Sequence, residues 1–201
     1  MYAPVYDSQG NKVAEKKCLF CRTPESSPKE NIKRLEKRVE ADDAEAIAKL
    51  GCFYWDGTYG YPQDYNKALE LFHRSAELGF AGAYNNIGTA YSNGRGVEVN
   101  KNKAIHYYEL AAMEGNVIAR YNLGNHEAKA GNFDRVLKHY MIAAASGHSD
   151  SLTYIKQMYS KEFVTKDVYM EALQSYQAYL EEIKSKQRDE AAAADERYRY
   201  Y

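Results

Sequence analysis

Three short stretches of this 201-residue chain hold residue types that do chemistry elsewhere. Cys18-Leu-Phe-Cys21 has the spacing at which two thiolates from one tight turn hold the same tetrahedral zinc, but a pair is half of the four ligands required. The third cysteine, Cys52, falls in a helical stretch, and none of His73, His106, His126, His139 and His148 stands at a matching short spacing. A thioredoxin-like redox role needs a βαβ pattern around the pair, and none surrounds it. Gly94-Arg-Gly96 has the glycine spacing of a fragment of a phosphate loop, yet no strand precedes it. His126-Glu127 lacks the second histidine of a zinc-protease helix. No nucleophile, base and oxyanion donor can be placed together, so the expectation is no enzyme, no catalytic residue, no metal and no cofactor.

Composition narrows the class further. Hydrophobic residues make up 45% of the chain, and 27 basic residues nearly balance 28 acidic ones, values of an ordinary globular protein large enough to bury a core. Without a basic excess there is no electrostatic footprint for nucleic acid or an anionic membrane. No apolar run approaches the ~20 residues of a membrane span, and no apolar signal segment follows Met1. Three cysteines, an odd number, fit a reducing compartment. The expected location is intracellular, in the cytoplasm.

The chain must be organised by helices. Residues 1–28 hold three of the four prolines and show neither a helical nor a strand period, and read as a disordered leader. Ser27-Pro28-Lys29-Glu30 then has an N-cap serine, a proline at the first helical position and a glutamate that completes a capping box. Ile32, Leu35 and Val39 follow at helical spacing, giving a capping helix over 29–41 whose basic face is either a docking patch or a solvated exterior. Asp42-Asp43-Ala44-Glu45 signals the next start, again with a capping box. From there the chain repeats itself: Leu50-Gly51-x-x-Tyr54 aligns with Ile87-Gly88-x-x-Tyr91 and with Leu123-Gly124, and the glycines stand 37 and 36 residues apart. Ala76-x-x-Gly79, Ala112-x-x-Gly115 and Ala144-x-x-Gly147 recur in the second half of each unit. Four units follow, about 43–79, 80–116, 117–148 and 149–184, within an array spanning 42–184. The third has a shortened interhelix turn at Ala130-Gly131-Asn132. Residues 185–201, ending Arg197-Tyr-Arg-Tyr-Tyr201, read as a frayed tail.

A period in the thirties with two helical segments per unit is the pattern of an all-α superhelix, a solenoid in which each helix pair buries its apolar face on its neighbours. A glycine inside a helix costs about 1 kcal/mol against alanine, so Gly51, Gly88 and Gly124 imply close helix approach, matched by small residues such as Ala68, Ala104 and Ala144 on the second helices.

Leu/Ile-Gly-x-x-Tyr, Gly-x-Gly-Val, Lys-Ala and Ala-Ala-x-x-Gly in this order resemble Sel-1-like repeats, relatives of the tetratricopeptide repeat. The second unit matches almost throughout; the third has Glu127 where tyrosine is expected. The resemblance implies an α/α superhelix that binds polypeptides and scaffolds complexes, without catalysis or a small-molecule substrate. Cys18-Leu-Phe-Cys21-Arg-Thr-Pro24 resembles the closing ligand pair of a RING finger, with Leu19 in place of the usual proline. An array following such a pair is similar to the substrate-binding portion of a RING-type ubiquitin ligase whose finger is incomplete in this chain.

In hairpins of this kind the first helices line the concave side, and the positions three before and one after each helix glycine point into it. These are Ala48 and Cys52, Asn85 and Thr89, Tyr121 and Asn125, then Thr153 and Gln157. The amides, hydroxyls and single aromatic at Asn85, Thr89, Tyr121, Asn125, Thr153 and Gln157 either bond an extended peptide or simply face water. On the first reading, alanine at Asn85 and Asn125 weakens partner capture and spares the fold.

Overall fold

The structure, a computed structural model, describes residues 3–6, 12–17 and 27–194, with side chains over 27–184 and at 186. Cys18, Cys21 and the residues from 195 onward lie outside that range. Among the described residues nine helices follow one another: α1 Pro28–Glu40, α2 Ala44–Asp56, α3 Tyr65–Glu77, α4 Ala81–Asn93, α5 Lys101–Met113, α6 Val117–Ala130, α7 Phe133–Ala145, α8 Ser149–Ser160 and α9 Lys166–Ala194. Each contacts the next in sequence, most extensively within the pairs α2–α3, α4–α5 and α6–α7. This is the all-α solenoid that the repeat pattern implies.

Local signals set the boundaries. Ser27 accepts from the Glu30 amide while the Glu30 carboxylate accepts from the Ser27 amide, so the capping box of α1 is complete. The box expected at α2 does not form. Asp43 rather than Asp42 is its N-cap, and Glu45 instead joins Asp43 in binding the Arg38 guanidinium at the end of α1. Gly79, Gly115 and Gly147 each follow a second helix with φ of 87°, 82° and 87°, the left-handed conformation in which helices commonly end.

Three elements depart from the sequence reading. Ala3–Tyr6 (β1) and Lys12–Lys17 (β2) pair antiparallel, with Val5 opposite Val13. Neither Ala-Pro-Val-Tyr nor Lys-Val-Ala-Glu-Lys-Lys alternates strictly between apolar and polar residues, and strand pairing is a contact between segments, invisible to a search for periods within one. Helix α9 also runs on through Ala194, into the stretch from 185 that reads from sequence as a frayed tail. Its extension is rich in alanine and other strong helix formers, and Lys184–Glu181 and Lys186–Glu182 pairs at helical spacing accompany it.

The core runs along the stack as four clusters: Leu35, Ala46 and Phe53 at the start, Ala68, Phe72, Ala83 and Ile87 next, then Ala104, Tyr108, Ala119 and Leu123, and finally Val136, Tyr140, Ile155 and Ala172. Among the described residues no helix is long and apolar enough to cross a membrane.

Candidate functional site

One small unit recurs at the heart of three repeats. The helix glycine of each first helix receives an aromatic ring from the second helix of the same repeat. A Cβ placed on Gly51 would stand 2.6 Å from Phe72 Cε1; on Gly88, 2.8 Å from Tyr108 Cδ1; on Gly124, 2.5 Å from Tyr140 Cε1. The glycines therefore make room for rings, not only for a shallow alanine surface. The residue after each glycine answers the ring's chemistry. Asn125 accepts a hydrogen bond from the Tyr140 hydroxyl at 2.7 Å, and Thr89 lies 3.3 Å from the Tyr108 hydroxyl. Phe72 has no hydroxyl, and its neighbour is Cys52. Burial pushes the hydroxyl pKa of Tyr108 and of Tyr140 up, as expected when an anion would lose its solvation.

These contacts redistribute the six residues singled out from sequence. Asn85 is only 8% exposed, and its side-chain oxygen accepts from Asn122 Nδ2 at 3.0 Å, joining α4 to α6. Thr89 donates to the Asn85 carbonyl at 3.0 Å. Both are committed inside the array. Thr153 is exposed and turns its hydroxyl back to the Ser149 carbonyl. Tyr121, Asn125 and Gln157, by contrast, come together along one groove of about 550 Å³ between α6 and α8, floored by Val136 and Tyr140 of α7. Tyr121 stacks on Tyr140 at 5.7 Å and lies 5.9 Å from Tyr154 between ring centroids.

The rest of the groove was not found from sequence. Phe133, at the start of α7, stacks on Phe163 of the α8–α9 loop at 5.2 Å and 7°, and both rings remain about half exposed, at 48% and 58%. Lys129 and Lys161 also line it. A signal for the site was nevertheless in the repeat register. Four residues after the helix glycine, the first repeat has Trp55 and the third has Ala128. Trp55 fills its repeat: its ring sits 5.1 Å from Tyr65 and 5.9 Å from Phe72, with the Arg95 guanidinium 5.4 Å above it. Arg95 comes from Gly94-Arg-Gly96, so that turn clips the second repeat to the first. It belongs to helix connection, not to a phosphate loop. Where Trp55 closes the first repeat, Ala128 leaves the third one open.

The histidines do not all stand apart. His106 and His139 line a second, smaller cavity of about 330 Å³ between α5 and α7. Burial and the nearby Arg120 lower the His139 pKa, and its Nδ1 is buried without a hydrogen-bond partner. Among the described residues no group of histidine, cysteine or carboxylate side chains is arranged to hold a metal ion.

Residues 44–80 and 81–116 match the Sel1 repeat family model. These two segments are similar to Sel1 repeats. The matched segments coincide with the pairs α2–α3 and α4–α5, and the pairs beyond them continue the helical stack. A Sel1 repeat protein from Oxalobacter formigenes superimposes with a TM-score of 0.60 at 28% identity, covering 83% of this chain and 64% of that one. A protective antigen of uropathogenic Escherichia coli displaying an SLR fold also gives 0.60, at 29% identity over 76% of this chain and 33% of that one. Among curated proteins, the ERAD-associated E3 ubiquitin-protein ligase component HRD3B of Arabidopsis thaliana is 34% identical over 96 residues, 47% of this chain and 15% of its own length. Chitin synthase regulatory factor 4 of Schizosaccharomyces pombe is 28% identical over 122 residues, 60% of this chain and 19% of its own length. The chain thus spans less than a fifth of these curated relatives.

Proposed function

We propose that the Sel1 array is a noncatalytic scaffold that binds a polypeptide partner in the groove between α6 and α8. The observation that supports this reading is the groove itself: exposed aromatic rings beside the Gln157 side-chain amide, which has no hydrogen-bond partner among the described residues, form a surface whose apolar area and hydrogen-bonding capacity the fold does not consume. Rings that pack a core are covered, whereas Phe133 and Phe163 stack on each other and still face solvent. Such a surface suits an extended chain, which needs both apolar contact and partners for its backbone. Filling the groove from within tests the proposal. Ala128→Trp places on the third repeat the side chain that the first repeat carries at the same position. Proteins cross-linked to the wild-type chain and identified by mass spectrometry should be lost by the Ala128→Trp chain. Recovery of the same set by both would remove the groove from consideration.

A second reading draws on the HRD3B match and on Cys18 and Cys21. The array would then be the substrate-binding part of a ubiquitin ligase, completed by zinc ligands that this chain does not supply. Metal analysis of the purified full-length gene product decides it, because a zinc-free protein cannot hold a RING finger.

A further inference from the structure

We infer that the occupant of the α6–α8 groove is an acidic peptide segment that inserts one large aromatic side chain, an inference that rests on the groove being the polypeptide site proposed above. The aromatic part follows from the chain's own internal repeat. In the first repeat an indole, that of Trp55, occupies the space bounded by Tyr65, by Phe72 and by a basic side chain from the following turn, Arg95. In the third repeat the walls persist at the same register. Phe133 starts the second helix as Tyr65 does, Tyr140 stands where Phe72 stands, and the turn after α8 supplies Lys161 and Phe163. The filling side chain is absent, since the register that holds Trp55 in the first repeat holds Ser92 in the second and Ala128 in the third. The vacancy has the walls of an indole site, and a partner can supply the ring in trans.

The acidic part follows from charge. Lysines Lys129 and Lys161 line the groove, and no carboxylate does. Neither lysine has an ion-pair partner among the described residues. The nearby acid Glu127 is bound to Arg135 at 2.9 Å and accepts from Asn132 at 2.7 Å, so its charge is already matched. Asp150, which acts on Tyr121 electrostatically, stands in the first turn of α8 and does not line the groove. Asn125 spends its side-chain oxygen on the Tyr140 hydroxyl and turns its NH2 group to the Tyr121 hydroxyl. The two lysines therefore leave the groove positively charged, and a negatively charged segment complements it. A single-stranded nucleic acid also combines negative charge with flat rings, but the near-neutral composition of the chain gives it no wider basic track to follow.

The test uses the full chain and fluorescein-labelled peptides read by anisotropy. One peptide carries a central tryptophan flanked by glutamates and aspartates; a second replaces the acids with their amides; a third replaces the tryptophan with alanine. A uridine oligonucleotide serves as the competitor. Expected results are saturable binding of the first peptide, binding weaker by about tenfold for each of the other two, and little competition by the oligonucleotide. Lys129→Gln combined with Lys161→Gln should weaken the acidic peptide by about tenfold while leaving the amide peptide unchanged. Ala128→Trp should abolish binding of all three without lowering the melting temperature. Equal affinity for the acidic and amide peptides, stronger binding of the oligonucleotide, or no binding of the acidic aromatic peptide by the folded chain each overturns the inference. If the peptides fail while cross-linked partners are still lost in Ala128→Trp, the chemical class is wrong and the scaffold reading stands. If neither responds to Ala128→Trp, both fall.

Discussion

Adding a single methyl group at Gly88 tests why the repeats keep a glycine in mid-helix. By intrinsic propensity Gly88→Ala should stabilise α4 by about 1 kcal/mol. The structure opposes it, because the new Cβ would lie 2.8 Å from two carbons of the Tyr108 ring and 3.1 Å from the Ala104 carbonyl oxygen. The ring cannot simply swing aside: Tyr108 is buried at 4% exposure, and its hydroxyl is near Thr89. The carbonyl belongs to the backbone of α5. Overpacking of this kind costs about 1–3 kcal/mol, so the net effect should be a loss of about 0–2 kcal/mol, or up to several degrees in Tm for a chain of this size. The decisive measurement is a double-mutant cycle with Tyr108→Leu, followed by circular dichroism through a urea titration. With the ring removed, only the contact with the Ala104 carbonyl remains, and Gly88→Ala should be more favourable in that background than in the wild type, by up to about 1–3 kcal/mol. Equal effects of Gly88→Ala in both backgrounds would refute the account of the glycine as a seat for the ring.

Three further outcomes follow from other contacts. Asn85→Ala strands the Asn122 amide to which Asn85 is bonded and should cost about 1–3 kcal/mol in urea unfolding, with peptide binding at the α6–α8 groove unaffected. Burial raises the hydroxyl pKa of Tyr108 and Tyr140 above that of the unfolded chain, so the unfolded state releases protons first as pH rises. Stability should be fully present below about pH 10 and fall above it, and Tm against pH should fall less steeply for Tyr140→Phe. Arg95→Ala removes the guanidinium over Trp55 and Tyr65 at a cost of about 0.5–1 kcal/mol. Trp55 is the sole tryptophan, so its fluorescence emission should shift with the loss of the clip.

Much of the fold was legible because its causes are local or periodic. Ser27 and Glu30 lie within one helical turn, the glycines after α3, α5 and α7 need only their own backbone, and an apolar stripe such as Ile32, Leu35 and Val39 announces its buried face by spacing alone. The second cap was misread because Glu45 had a choice. It could complete a box with Asp42 or reach Arg38 in the preceding helix, and only the packing of α1 against α2 decides between them. The two strands were missed for a related reason, since each depends on a partner segment.

For the site, the sequence by itself determined which positions repeat and what chemistry each can offer. It placed polar groups beside the helix glycines and showed an alanine in the third repeat at the register of Trp55. It could not say where those polar groups spend their hydrogen bonds. That was decided between helices: Asn85 meets Asn122 and Asn125 meets the Tyr140 hydroxyl only once neighbouring elements are packed. The same holds for the groove. A side chain's type is local, but whether it is covered depends on what another helix or turn lays over it. Trp55 is enclosed by a turn from the next repeat, whereas Phe133 and Phe163 meet across a cleft that no tryptophan fills.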